Sequence, residues 1–278
     1  MTERQKFEKH LDIDETGCDA ATLLSAESGL SKTAIKQVMK KGAVWLTTAT
    51  GTQRIRRADK QLPKGAILHL YYDAAVLHQQ PSAAQLIADE GDFSVWFKPY
   101  GMLSQGSKWG DHCTIYRWAE QHLTPQRSAY VVHRLDRAAS GLILLAHTKK
   151  TATAFARLFR ERKIEKIYQA KVTGKLVQAM TIDKALDGKK AISHVTPLAY
   201  DESRDESVVK VSIETGRKHQ IRRHLVQAGH PIVGDRLYGN VELTGEDNLA
   251  LVACYLSFSL EDGNPKSYQL DSRYCLAP

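Results

Sequence analysis

Two short apolar stretches, Val131-Val132 and Leu-Ile-Leu-Leu-Ala at 142–146, enclose a polar loop, and no other pattern restricts the fold so much. Runs this short and this apolar suit buried strands, so the His, Arg and Asp residues between them fall in a strand-connecting loop. A turn at Glu90-Gly91-Asp92 leads into a short strand at 93–97. Val209, Val211 and Ile213 alternate with Lys210, Ser212 and Glu214, the period of a half-buried strand. Thr148 is placed to cap a helix running to about residue 162. Residues 219–228 read as a helix closed by Gly229. Strands with helices interspersed irregularly predict an α+β domain built on a mixed sheet, not regular βαβ winding.

At 278 residues the chain is long enough for one sizeable core and a smaller satellite. A charged share of 25% against 42% hydrophobic residues argues against wholesale disorder. No apolar run approaches the ~18 residues needed to span a bilayer, and the opening MTERQKFEKHLDIDETG lacks a secretory apolar stretch. A cytoplasmic protein without membrane contact is expected. Cys18, Cys113, Cys254 and Cys275 show no CxxC pairing, so they read as free thiols and not as a disulfide framework or zinc knuckle. The net charge of +8 favours a polyanionic partner through phosphate neutralisation, although solubility alone also explains it.

The location of the charge therefore matters. Residues 1–16 are polar and aperiodic and read as a loose arm. A compact unit at 17–75 follows. Its first helix carries Ala20, Leu23, Leu24 and Ala26 and stops at Gly29; Ser31 then caps a second helix at 32–41. There Ala34, Ile35, Val38 and Met39 share one face, while Lys32, Lys36 and Lys40 recur at i, i+4 on another. A strand at 43–47, a turn at Gly51 and a strand at 66–72 complete the unit. This layout resembles the small S-four-type RNA-binding domain, with Ser31-Lys32 where Ser-Arg is usual and Thr47-Thr48-Ala49 where Val-Asn-Gly is usual. Residues 76–85 read as a linker, and 86–278 as the main domain.

The segment Val132-His133-Arg134-Leu135-Asp136-Arg137-Ala138-Ala139-Ser140-Gly141-Leu142 holds a carboxylate with two guanidinium groups near in sequence, which can keep it ionised as a nucleophile or base must be. Taken alone, an Asp in such a loop is more often a turn former than a catalyst, and the surrounding residues reverse that reading. The segment resembles the HRLD-x-x-TSG signature of the RluA-type RNA pseudouridine synthases, with Ala139 in place of Thr. Four more blocks match in order: Phe97-Lys98-Pro99-Tyr100-Gly101-Met102-Leu103, 166–174 (KIYQAKVTG), 215–224 (TGRKHQIRRH) and 229–239 (GHPIVGDRLYG). Together they span about 86–260.

The resemblance implies a mixed, largely antiparallel sheet with flanking helices, and it implies roles. Asp136 matches the catalytic aspartate, Tyr168 the tyrosine against the uracil ring and Arg222 the arginine paired with the aspartate. Arg134 matches the residue that fills the gap left by the flipped nucleotide, and Ile221 an aliphatic residue packed on the base. Arg217 and His219 join the RNA-binding set with Lys32, Lys36 and Lys40. Each role has a physical basis. Isomerising uridine breaks the bond from ribose to ring nitrogen and rejoins the ring through carbon five, so the base must leave its stack, and an inserted side chain offsets part of that cost. Flat or aliphatic surfaces then receive it. Attack by Asp136 on the ribose, attack on the ring, and removal of a ribose proton all stay open. Neither metal nor organic cofactor is expected, since no electron or group leaves the system. The expected partner is ribosomal RNA or tRNA, with ribosomal RNA favoured and the protein acting as a monomer.

Two other readings compete. Phe97, Ala139 and Lys218 depart from the family pattern and would suit a non-catalytic RNA-binding or ribosome-assembly protein that kept the fold, although Asp136, Tyr168 and Arg222 are all present. A hydrolase using Asp136 lacks a Ser-His or acid pair at useful spacing. His219, His224 and His230 invite a metal site, but the i, i+5 spacing of the first two does not put both imidazoles on one helical face.

Overall fold

The computed structural model describes residues 5–17, 19–239, 248–260 and 263–277, and the chain divides into two compact units. Unit 1 comprises residues 1–82 with 105–121; unit 2 comprises 83–104 with 122–278. The sequence division at 76–85 therefore misses one feature: a segment inside the expected main domain belongs to the first unit.

Unit 1 contains β1 (Lys6–Asp12), α1 (Ala20–Ser28), α2 (Lys32–Lys40), β2 (Val44–Thr48), β3 (Gly51–Arg54), β4 (Ile67–Asp73) and α3 (Ala74–Leu77), and α4 (Ile115–His122) starts within it. Ser31 caps α2 as read from sequence, accepting from Ala34 N at 3.2 Å, and Gly29 ends α1 with φ 72°; Asp19 is a further cap, accepting from Thr22 N at 2.8 Å. Ile35, Val38 and Met39 are buried, each worth roughly 1.5–3 kcal/mol by burial. The sheet order is β1-β4-β2-β3.

Residues 6–12 are thus no loose arm. They pair antiparallel with β4 from Lys6↔Asp73 to Asp12↔Ile67, and Phe7 stacks on Tyr72 at 5.0 Å. The backbone of β4 would otherwise present an unpaired edge. Residues 1–4 of that expected arm, and Cys18, lie outside the described residues. Asp111 fastens the 105–121 segment within the unit: its carboxylate meets Arg56 at 2.5 Å and Arg54 at 3.5 Å, accepts from the Tyr116 hydroxyl, and its N–H bonds Lys41 O at 3.0 Å.

Unit 2 carries β5 (Gln85–Asp89), β6 (Phe93–Lys98), β7 (Tyr130–Val131), β8 (Ser140–Ala146), α5 (Lys149–Arg160), β9 (Glu165–Thr173), β10 (Met180–Asp183), β11 (Ile192–Asp201), β12 (Glu206–Ile213), α6 (Gln220–Gln227), β13 (Leu251–Ser259) and β14 (Pro265–Gln269). One sheet runs β10-β11-β12-β9-β13-β8-β6-β5, with β14 on β13 and β7 on β8. Among the described residues only β13 and β8 pair in parallel, so the sheet is mixed and largely antiparallel, as expected. Phe155 and Leu158 of α5 pack with Phe93, Leu142, Leu144 and Phe258 into a core cluster. No described helix is long and apolar enough to cross a membrane.

Candidate active site

The register of this sheet sets the positions from which the site is built. Lys98 of β6 lies opposite Gly141 of β8, Gly141 opposite Ala253 of β13, Ala253 opposite Tyr168 of β9, and Tyr168 opposite Val211 of β12. Gly141 is required in that row: its φ is 116°, and a Cβ there would meet Ala253 O at 2.3 Å and Ala253 N at 2.4 Å. The β9–β13 pairing slips between Ala253 and Tyr255, a bulge immediately beside Tyr168 in the ladder.

The Asp136 loop leaves β7 and enters β8, and nearly every turn of it is tied down. The Leu144 N–H donates to His133 Nε2 at 2.9 Å, which requires a lone pair on that nitrogen; burial, then the Lys166 charge, holds the imidazole down to about 3. Ser104 Oγ donates to Leu135 O at 2.8 Å and accepts from Leu135 N at 3.0 Å. Gly101 N donates to Arg137 O at 2.8 Å, and Arg137 Nε returns a bond to Gly101 O at 3.1 Å. Ala139 N closes on Asp136 O at 3.1 Å.

Beneath the loop sits Lys98, fully buried, its ammonium donating to Ala139 O at 2.6 Å, Met102 O at 2.9 Å and Pro99 O at 3.1 Å. Three donors meet three carbonyls, which satisfies the group. Burial nevertheless pushes its pKa down to about 7, against an upward pull from the Asp136 charge.

Asp136 itself is half-buried, and its partners come from a distant segment. Oδ2 lies 3.6 Å from Arg222 Nη1, and Oδ1 lies 3.7 Å from His219 Nε2. Arg134 and Arg137, expected from sequence to be the steadying cations, are exposed and form no ion pair with it; Arg134 has no polar partner among the described residues. Arg222 is 6% exposed and bonds Asp235 twice, Nε to Oδ2 at 2.8 Å and Nη2 to Oδ1 at 2.6 Å. Burial opposes both charges, but the pairing outweighs it, raising the guanidinium and lowering the Asp235 carboxyl. Tyr168 is 9% exposed; burial first, and then the Asp136 charge, pushes its phenol above its ordinary value, so it stays protonated at neutral pH.

The structure thus brings Asp136, Tyr168 and Arg222 into one electrostatic cluster with His219. Ile221 is buried on the same helix as Arg222, while Arg217 bonds Lys190 O at 3.0 Å just before it. Lys32, Lys36 and Lys40 belong to unit 1, all exposed. His224 is buried against Ser193 Oγ and Lys184 O, and His230 bonds Thr173 O; no described cluster could hold a metal ion. Sequence reasoning passed over Lys98, Ser104, Asp235 and Tyr238 as individuals, although all but Ser104 fall inside matched blocks. Their signal was the carboxylate-phenol spacing in Asp235-Arg236-Leu237-Tyr238 and a lysine at the end of an apolar strand.

Comparison with known proteins gives the family. Residues 92–227 match the family model described as RNA pseudouridylate synthase. A Haemophilus ducreyi protein named tRNA pseudouridine synthase C is 33% identical over 205 residues, 62% of this chain and 82% of the relative. A Xylella fastidiosa protein named ribosomal large subunit pseudouridine synthase D is 34% identical over 145 residues, 47% of this chain and 43% of the relative. The solved structure of human RNA pseudouridylate synthase domain containing 1 shares the fold, with TM-score 0.60 and 23% identity over 69% of this chain and 86% of that one. The chain belongs to the RluA-type RNA pseudouridine synthases, isomerases that convert uridine to pseudouridine within RNA.

Proposed function

We propose that Asp136 is the reacting carboxylate, that Tyr168 lies against the uracil, and that Arg222 holds the carboxylate from behind. The observation that carries this is the convergence of Asp136 with Arg222 at 3.6 Å and its electrostatic reach to Tyr168. Arg222 is itself immobilised by Asp235, so it presents a fixed positive charge and costs little reorganisation during reaction. The protonated Tyr168 offers a flat, buried surface and a hydroxyl near the place where carbon five must lose its proton. Ile221 adds an aliphatic wall, Arg217 contacts the RNA backbone, and the exposed Arg134 enters the vacancy left by the flipped uridine.

Unit 1 is proposed to bind RNA as an S-four-type module. Lys36 and Lys40 line a recess with Arg57, which adds a cation to those of α2 beside one carboxylate, Asp59, while Arg56 in the same recess is paired with Asp111; Lys32 extends the basic face. With that module, large-subunit ribosomal RNA is the proposed substrate, acted on by a cytoplasmic monomer. A tRNA substrate is the second reading, favoured by the relative named for tRNA, which aligns over a larger share of the chain. The deciding experiment maps pseudouridine in ribosomal RNA and tRNA from cells with and without the protein, and in purified RNA treated with wild type or Asp136→Ala. Loss of specific ribosomal sites supports the first reading and loss of tRNA sites the second. Pseudouridine formed equally by Asp136→Ala refutes the assignment of the carboxylate.

A further inference from the structure

We propose that His219 is a positioning residue for the reaction, its ring fixed by Tyr238 so that Nε2–H faces Asp136; this rests on Asp136 being the reacting carboxylate. The two oxygens of Asp136 have separate neighbours, Arg222 on Oδ2 and His219 on Oδ1. Arg222 is braced by Asp235, and His219 by Tyr238, whose hydroxyl lies 2.8 Å from Nδ1.

Tyr238 is no casual neighbour. Its N–H bonds Asp235 Oδ1 at 3.1 Å, the Arg222 guanidinium lies 5.0 Å over its ring, and the ring meets His219 edge-on at 5.6 Å. Asp235 therefore organises both arms that reach the catalytic carboxylate.

The backbone points the same way. His219 has φ 54° and ψ 31°, a left-handed conformation uncommon for a residue with a side chain, at the N-cap of α6. It makes no capping bond with its side chain. The turn before it is held by Gln220, whose Oε1 accepts from Thr215 Oγ1 at 2.6 Å and Arg217 N at 3.1 Å, and whose Nε2 donates to Ile192 O at 2.8 Å. A buried amide thus imposes the strained backbone that aims the imidazole at Asp136, and strain maintained in this way is characteristic of functional positions.

Chemistry settles the tautomer. Burial, then the Arg222 and Lys218 charges, favour a neutral ring, while Asp136 and Asp235 pull the other way. A neutral ring has one donor and one acceptor. A lone pair facing the carboxylate would repel it, so Nε2 carries the hydrogen and Nδ1 accepts from the Tyr238 hydroxyl. The 3.7 Å separation is longer than a hydrogen bond and shortens to one when the substrate excludes water. His219 then holds Asp136 in one orientation toward the ribose. Protonating the ring would force Tyr238 to reverse its bond and set a full cation against Asp136, making it a weaker base or nucleophile.

The test measures single-turnover pseudouridine formation at saturating RNA, RNA affinity and melting temperature. His219→Asn tolerates the left-handed backbone and keeps an amide near Nδ1 but does not extend to Nε2. Its rate is expected to fall about tenfold or more, with melting temperature retained and any fall in RNA affinity much smaller than the fall in rate. Tyr238→Phe is expected to fall a few-fold, and the loss of rate on acidification expected of wild type should be absent from His219→Asn. A wild-type rate and pH profile in His219→Asn overturns the proposal, as does a fall in rate matched by an equal fall in RNA affinity. If His219→Asn does not fold, an unchanged rate and profile in Tyr238→Phe overturns it. Full activity in Asp136→Asn would instead sink the underlying assignment; an inactive Asp136→Asn beside a normal His219→Asn sinks only this inference.

Discussion

Replacing Lys98 with Met removes a buried ammonium from beneath the Asp136 loop, and two large effects oppose each other. Three carbonyls lose their donor, a cost of about 3 kcal/mol at roughly 1 kcal/mol each. Against this, the unfolded chain keeps the lysine proton up to about 10.5, whereas the folded protein releases it at about 7. Between those values the unfolded state binds more protons, so wild-type stability rises with pH across the window. The gap corresponds to roughly 4–5 kcal/mol of destabilisation at pH 7, shrinking to under ~1 kcal/mol at pH 10. Lys98→Met should therefore be as stable as wild type, or slightly more so, at pH 7, and about 1 kcal/mol less stable at pH 10, where the neutral amine keeps two of its three donors. Urea unfolding of both proteins at several pH values, followed by far-ultraviolet circular dichroism, measures the difference. Activity should fall about a hundredfold even where stability is unharmed, since the anchored carbonyls position the reacting loop. Stability curves that run parallel from pH 7 to 10, or a fully active variant, would refute the reasoning.

Three further substitutions follow from the same geometry. Asp235→Asn leaves the Arg222 guanidinium buried without its charged partner and should cost about 3–5 kcal/mol, read as a melting temperature lower by roughly 10 °C, with activity lost at temperatures where the protein stays folded. His133 is held neutral down to about 3, so the unfolded chain gains its proton first as pH falls below 6.5; wild type should lose about 2 kcal/mol from this group by pH 5, and His133→Gln should flatten that part of the acid unfolding profile. Gly141→Ala sets a Cβ within 2.4 Å of the Ala253 backbone at a φ of 116°, and should cost more than ~4 kcal/mol, seen as insoluble expression or loss of cooperative melting.

The Asp136 loop was readable because β8, buried along nearly its whole length, leaves a plain apolar signature; the stretch Val131-Val132 was expected to be a buried strand too, but β7 is only Tyr130–Val131 and half-buried. Strand β1 was not readable for the converse reason. In Lys-Phe-Glu-Lys-His-Leu-Asp only Phe7 and Leu11 are partly buried, so the segment lacks the alternation of a half-buried strand, and its structure depends on the partner β4. Strand β3 was hidden likewise: Gly51–Arg54 is almost wholly exposed, and the turn seen at Gly51 is the entry of a hairpin with β2. The 105–121 segment was assigned to the wrong unit because its attachment depends on one buried carboxylate among guanidinium groups, which composition does not reveal. Within the site, sequence proximity misled. Arg134 and Arg137 neighbour Asp136 along the chain yet face solvent, while the charge that meets the carboxylate arrives on α6.

Lys98 illustrates why the remainder needs three dimensions. A lysine at the end of an apolar strand does not announce its partners, and the β6–β8 pairing brings it under Ala139. That pairing belongs to the row Lys98, Gly141, Ala253, Tyr168, which crosses four strands and spans roughly 14 Å at the usual strand spacing. One end of the row anchors the Asp136 loop and the other carries the phenol. The distance between carboxylate and ring is consequently set by backbone hydrogen bonding, which changes only in whole-residue steps, and by a glycine that lets β8 and β13 approach. A site fixed by sheet register tolerates replacement at Phe97 or Ala139, whose neighbours are Tyr274 and the buried loop base, because neither change alters which residues stand opposite one another.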